Sequence, residues 1–505
     1  MKSKRSTCVH VIALLAALAV PLGLAAQNKQ DHGKHHRYKL VDLGTLGGPN
    51  SSVLLGLQVL DNRGTVVGGA ETSTPNPNYP NCNPLLGYCF QSSPPYPPAF
   101  IQHAFEWQKG ALTDLGALPG TTNSYANWLN ASGVTVGVSE NGSIDPITGF
   151  PEVDAVVWKH GQITNLGTFG GNESSAAAVN NRGQVVGLTT NAIPDAFSGF
   201  GTQERAFLWE NGTIQDLGTL GTGTDAAAAF VNEGGQVAGG SFTNTTANPI
   251  TGIPTLDPFL WENGTLIDLG TLGGTAGVPS FLNNRGQVVG DSNLAGDIIS
   301  HPFLWTKPGP MQDLGTFGGS IGGASWINDA GEVIGSAFYP GDVMLHGFLW
   351  RHGVKTDLGT VDGDLCSFPR YINSKGQIVG LSNSCQGNIL HAFLWENGGP
   401  IVDLNTRIPP NSAVQLADAF NISDGGEIVA VGILANGDVH GFLLIPCDEH
   451  HPGVEGCDDS LIDARAVVPH ASPAVRDASR PTLPPSLMRR MSRYHFPGFA
   501  IGSRN

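Results

Sequence analysis

The sequence predicts an all-β chain arranged as a ring of small four-stranded sheets, on three observations. The first is a set of three signatures that cycle in fixed order, each occurring eight times. A strand of the form HAFLW starts at His103, Asp154, Arg205, Asp257, His301, His346, His391 and His440. A DLGTLGG stretch is anchored at Asp42, Asp114, Asn165, Asp216, Asp268, Asp313, Asp357 and Asp403. An N-x-x-G-x-V-x-G stretch carries its first glycine at Gly64, Gly133, Gly183, Gly235, Gly286, Gly331, Gly376 and Gly426. Self-similarity in a fixed order marks a repeat architecture. The second observation is alternation with period two and no helical periodicity. The third is turn chemistry: Asn211-Gly212 and Asn263-Gly264 separate apolar runs, the strongest short hairpin signal.

Each piece translates into a strand. In HAFLW, His391, Phe393 and Trp395 point one way while Ala392 and Leu394 point the other. Both faces are largely apolar, as a sheet covered on both sides requires. After the Asn-Gly type turn the hairpin returns as a strand ending in Asp-Leu-Gly. A glycine-rich loop leads to a third strand, such as Ser280 to Asn283, and an N-N-R-G turn leads to QVVG. HAFLW starts recur every 44 to 52 residues, and four short strands at such a spacing is the β-propeller pattern. The first unit starts on a DLG strand (Arg37 to Gly44), whereas the last copy, His440 to Pro446, has no DLG strand after it. The C-terminal strand therefore completes the first sheet and removes two exposed edges. The expectation is an eight-bladed β-propeller over residues 37–446. An open β-solenoid, which needs capping units, and a seven-bladed ring are the alternatives.

HAF-W, DLGTLGG and NxxGQVVG resemble the HAF-repeat family of extracellular bacterial proteins. The resemblance covers residues 37–446 and implies export and a repeat architecture; it implies no activity, cofactor or catalytic residue. Departures are Asp154, Arg205 and Asp257 in place of His, and Pro119 and Asp362 within the glycine loops. The eighth unit reads DLNTRIPP and lacks the glycines.

The flanks read differently. Lys2, Lys4 and Arg5, the apolar run Val11 to Val20, and small residues at Gly23, Ala25 and Ala26 form a signal peptide over residues 1–26. A polar segment follows over 27–36, and no later stretch is apolar enough to span a bilayer. Six cysteines remain after cleavage: Cys82, Cys89, Cys366, Cys385, Cys447 and Cys457. An even number in an exported chain reads as disulfides, with connectivity open. Residues 447–463 form a Cys-containing extension. The tail 464–505 holds seven Arg against one Asp among several prolines, and lacks the composition of a core. The formal charge of −16 argues against a nucleic-acid partner.

Strand parity supplies a functional inference. Successive turns alternate between the faces of the ring, so the ENG and NRG turns share one face. The GTLGG loops and the variable QVVG-to-HAF connections share the other. The longest connection, Ala70 to Gln102, is Pro-rich, and DPITGFPE (Asp145 to Glu152) and NPITGIPT (Asn248 to Thr255) are related insertions. Long loops on a rigid scaffold are where binding concentrates. Neutral insertion is the competing reading.

Candidate chemistry lies where units differ. Asp362 and Asp364 replace loop glycines and form a carboxylate pair of the kind a glycosidase uses, with a solvated loop as the competing reading. His35, His36, His450 and His451 would converge at the ring closure and could hold a metal ion, against the reading as solvated tails. No catalytic signature occurs: there is no GxSxG, HExxH or phosphate-binding loop. The repeated Asp of DLG reads as a cap on turn amides, the repeated His as a satisfied polar group, and the repeated Trp as inter-blade packing. No cofactor is expected. The reading is an exported monomeric binding module for a glycan or protein; a polysaccharide hydrolase or lyase and a structural envelope protein are the alternatives.

Overall fold

A computed structural model describes residues 37–53, 57–83, 85, 98–385, 390–448, 451 and 457. The expected signal peptide over 1–26, the segment 27–36 and the basic tail 464–505 lie outside these. The chain is all-β with propeller architecture: its strands fall into eight units of four. Unit 2 shows the pattern. Ser124–Leu129, Thr135–Ile144, Pro151–Lys159 and Gln162–Asn165 pair antiparallel in chain order. The units group into six sheets, because one parallel residue pair each, Leu256 with Ala276 and Leu345 with Cys366, joins two neighbouring units into eight-stranded sheets.

The eighth unit takes strands from both ends of the chain. Val414–Ile422, Ile428–Leu434 and Val439–Pro446 are followed by Tyr38–Asp42 as the fourth strand. Leu40 lies opposite Leu444, and Asp42 opposite Phe442. Leu444 is fully buried and Tyr38 nearly so.

Two of the three signatures meet in one packing contact. The Phe of HAFLW is fully buried at Phe105, Phe207, Phe259, Phe303, Phe348 and Phe393. Its ring lies over the last glycine of N-x-x-G-x-V-x-G on the neighbouring strand. A Cβ on Gly187 would stand 2.9 Å from Phe207, on Gly290 2.9 Å from Phe303, and on Gly335 2.8 Å from Phe348. The carbonyl oxygens of Ser175, Val278 and Gly323 stand closer still, at 1.9 to 2.1 Å, so alanine there fits only if the paired backbone moves as well as the ring.

The hairpins match their expected chemistry. Asn211 and Gly212 have φ of 51° and 84°, and Asn263 and Gly264 of 50° and 83°, the paired positive values of a type I′ turn. The first strands differ from expectation by starting earlier. In three units they begin inside the glycine loop, as Gly47–Ser52, Gly170–Val179 and Gly273–Leu282. The second glycine of each pair lies against the neighbouring strand. A Cβ on Gly48 would meet Thr72 O at 2.5 Å, and one on Gly274 would meet Leu294 O at 2.6 Å.

First strands of different units converge, which places them at the axis. Phe281 stacks on Trp326 with centroids 3.5 Å apart, and Tyr371 lies 4.5 Å from Trp326. Trp128 is 6.3 Å from Phe230 and 6.4 Å from Trp326. These five rings come from units 2, 4, 5, 6 and 7, each two residues before the repeat Asn. They plug the axis on the tight-turn side. Val59, Ala178 and Asn421 occupy the same repeat position, and Asn421 Oδ1 accepts from the Val59 amide at 2.8 Å, joining unit 8 to unit 1.

The repeat Asn is the inter-unit fastener. Its Nδ2 donates to the backbone carbonyl of the next unit's equivalent residue. The chain runs from Asn130 through Asn180, Asn232, Asn283, Asn328 and Asn373 to Ser423, at 2.8 to 3.1 Å. Its Oδ1 meanwhile accepts from its own turn, as from Gln236 N at 3.0 Å. One residue on, a second series ends with the Asp424 amide donating to Asn62 Oδ1 at 2.9 Å, again between the last unit and the first.

Candidate functional site

The face opposite the tight turns carries the long, variable connections. Inward from this face, neighbouring units are stapled by polar side chains. The hydroxyls of Ser124, Ser174, Ser367 and Ser51 accept the amides of Ala104, Ala155, Gly347 and Gly441 on the preceding unit. One residue earlier the staple is Asn50, Asn123, Glu173 or Asp225. Glu173 accepts from Val153 N at 3.0 Å, and Asp225 from Glu204 N at 2.7 Å.

These staples explain strongly shifted carboxyls without invoking catalysis. Burial pushes the carboxyl of Glu173 well up from its usual range. Burial likewise pushes Glu204 and Asp225 up; the charge of Asp195 adds to the shift of Glu204, and the charge of Glu204 to that of Asp225. Glu204 also accepts from Ser198 Oγ at 3.0 Å and Gly199 N at 3.2 Å, which ties the 195–201 connection to the sheet.

The repeated His and Asp form cross-strand pairs at the outer part of each sheet. Nδ1 of His103, His301, His346 and His440 lies 2.9 to 3.0 Å from Asp114, Asp313, Asp357 and Asp42. Each of those carboxylates also accepts the following Gly amide, as Asp42 does from Gly44 at 2.8 Å. Burial disfavours the charged His440, but the bond and charge of Asp42 outweigh it and raise its pKa. Burial would raise Asp42; His440 and the Gly44 amide outweigh that and lower it.

The departures from His follow the same geometry. Arg205 Nε donates to Asp216 at 3.0 Å. Where unit 2 has Asp154, the partner is Asn165, whose Nδ2 donates to it at 2.6 Å. Asp257 faces Asp268, and burial together with that second carboxyl raises its pKa. The pair is a structural device that tolerates exchange of partners.

Asp362 and Asp364 are not brought together as a pair of acids. Asp362 is exposed. Asp364 is 6% exposed and takes over the His-pairing role in its unit, 2.9 Å from His391 Nδ1, while accepting Ser382 Oγ at 2.7 Å. Asp403, at the usual partner position, instead accepts from both the backbone amide and the side-chain Nδ2 of Asn405, at 2.8 and 2.9 Å. His35, His36 and His450 lie outside the described residues. His451 pairs with Asp448 at 2.8 Å and Glu427 at 3.2 Å. No group of three or more His, Cys, Asp or Glu able to hold a metal occurs among the described residues. Cys366 is bonded to Cys385 and Cys447 to Cys457. Cys82 is disulfide-bonded, and Cys89 lies outside the described residues.

The long connection of unit 1 is laid across its neighbours. Asn78 Nδ2 donates to Glu140 in unit 2 at 3.2 Å, and Asn83 Nδ2 to Glu173 in unit 3 at 2.9 Å. The DPITG loop is an Asx turn in which Asp145 Oδ1 accepts from Ile147 N at 2.8 Å. NPITG repeats it, with Asn248 accepting from Ile250 N at 2.7 Å. The turn presents the isoleucine: Ile147 is 58% and Ile250 61% exposed. Other connections present Ile193, Ile298, Val343 and Met344. Of the twelve exposed large apolar residues described, eleven lie on this face; only Val354 sits at a tight turn.

One charged group sits near the axis. Arg370, on the first strand of unit 7, donates through Nη2 to Asp418 on the first strand of unit 8 at 3.0 Å. Sequence reading missed this pair because both residues occupy variable positions before the repeat Asn.

No family model matches the chain, and no curated protein does. Among solved structures, the chain is similar to the β-propeller domain of the Trilobed protease from Pyrococcus furiosus, at 8% identity over 60% of this chain and 90% of that one, with a TM-score of 0.39. It is similar to TolB from Acinetobacter baumannii at 12% identity, over 62% of this chain and 81% of that one, with a TM-score of 0.31. An oligogalacturonate lyase in complex with manganese gives 11% identity over 82% of this chain and 97% of that one, with a TM-score of 0.41. Likeness at this level goes no further than architecture and carries no activity to this chain.

Proposed function

We propose that the chain is an exported eight-bladed propeller of the HAF-repeat type, closed by the pairing of its two ends, and that it works as a binding module. The single observation that carries the binding role is the distribution of exposed apolar side chains: eleven of the twelve described stand on the long-loop face. Exposed apolar side chains gathered on one face and nearly missing from the other are what a binding partner would cover. These side chains are aliphatic apart from Tyr79. A glycan would call for aromatic stacking platforms, so the ligand class that fits is a polypeptide. Disulfides suit an oxidising, exported setting.

A secreted polysaccharide hydrolase or lyase is the second reading, and the Arg370–Asp418 pair near the axis is the observation that favours it. The test is a protein and glycan array read in parallel with a hydrolase screen. Saturable binding to a polypeptide that Ile147→Ser with Ile250→Ser abolishes, while Lys109→Ser leaves it intact, is the expected result. Turnover of a polysaccharide that Arg370→Ala removes, with no binding lost in the isoleucine variant, contradicts it.

A further inference from the structure

The long-loop face differs from the tight-turn face in charge as well as in apolar content. The segments linking second to third strands, and fourth to first strands, hold eight carboxylates, of which Asp145 and Asp225 are buried and Asp364 is paired with His391, and a single cation, Arg407. The turns of the opposite face hold seven carboxylates against six Lys or Arg. One face is therefore acidic and studded with aliphatic tips, and the other is balanced. A partner for the first face is cationic and carries apolar side chains between its charges.

The chain encodes a segment of that composition. Residues 464–505 contain seven Arg and one Asp, with Leu487, Met488, Met491, Phe496, Phe499 and Ile501 interleaved in the arginine-rich half. We propose that this tail docks on the long-loop face and competes there with the external partner; the proposal rests on the reading of that face as a recognition surface.

Reach permits it. Cys447 is held at the tight-turn end, its amide donating to Arg37 O at 2.7 Å, and it is bonded to Cys457. From there residues 458–505 span up to about 150 Å when extended. The longest strands have 10 residues, so the ring is about 33 Å thick. A tail of this length passes round the rim with residues to spare. The opposite face offers it less: cations such as Arg63, Arg182 and Arg285 stand among the tight turns and offset the carboxylates there. Tethering raises the local concentration of the tail to the millimolar range, so weak docking suffices to keep the face covered.

The test uses the full chain. Amide hydrogen exchange is compared between the native sequence and a variant carrying Arg489→Glu, Arg490→Glu and Arg493→Glu. The expected result is exchange about tenfold faster in the variant at 145–150, 248–253 and 339–344, with tight-turn segments unchanged. Adding a peptide of residues 464–505 to the variant restores protection, and salt near 1 M removes it in the native chain. Equal exchange in both chains, or protection that maps to the tight turns, overturns the proposal. If protection behaves as expected yet the uncovered variant binds nothing on the arrays, docking stands and the external-partner reading fails.

Discussion

Asn232→Asp isolates the inter-unit fastener from the turn it also serves. Asn232 is 4% exposed. Its Nδ2 donates to Asn283 O at 3.0 Å and to Gln236 Oε1 at 2.7 Å, and its Oδ1 accepts from Gln236 N at 3.0 Å. Aspartate keeps the acceptor and converts the donor into an oxygen facing a buried carbonyl. The Asn283 carbonyl keeps the Gly286 amide at 3.1 Å, so the lost bond itself costs about 0.5–1.5 kcal/mol; the larger part of the cost is a poorly solvated carboxylate set against that carbonyl. The variant is therefore expected to lose about 2–4 kcal/mol at pH 7, read from the urea midpoint by tryptophan fluorescence. Protonation restores a donor, so the folded-state pKa of the new acid is raised and the deficit shrinks as the pH falls below about 5. Asn232→Ala loses the turn acceptor as well and is expected to lack this recovery. A loss under about 0.5 kcal/mol, or a deficit independent of pH, refutes the fastening role.

Two further predictions follow from the axis and the staples. Trp326→Ala removes a 3%-exposed ring that stacks on Phe281, and is expected to cost about 3–5 kcal/mol in the same urea assay; a cost under about 1 kcal/mol means the rings do not form a packed plug. Glu204 and Asp225 have folded pKa values raised by burial and by neighbouring carboxylates, so the fold binds more protons than the unfolded chain above about pH 4. Stability is fully present below that range and falls as pH rises through the raised values. Asp225→Asn, which keeps the acceptor for Glu204 N, is expected to match the native chain at pH 4 and exceed it at pH 8; parallel pH profiles contradict the assignment.

Most of the fold was legible because each strand carries its own signal. Asn-Gly turns demand positive φ, HAFLW alternates, and the orphan strand at His440 to Pro446 predicts the partner that Tyr38–Asp42 supplies. The His and Asp of separate signatures read as independent structural residues, whereas they are partners of each other, as His301 and Asp313 show. Covariation inside the chain held that signal: unit 2 exchanges both members, to Asp154 and Asn165. The axial plug was less legible, because aromatics two residues before the repeat Asn read as ordinary strand residues until first strands are known to converge. Asp364 was unreadable for a different reason. It takes the place of Asp403 as partner of His391, a contact between two loops that neither stretch of sequence records by itself.

Everything here depends on the two chain ends sharing one sheet. Lys39 and Ile445 are opposite each other in that pairing, and both are half-buried. A chain carrying Lys39→Cys and Ile445→Cys, oxidised mildly and digested, is predicted to yield the peptide linking those positions in near-complete yield. Two thiols that stay separately alkylatable under the same oxidation would contradict the shared sheet, and the closed ring with it.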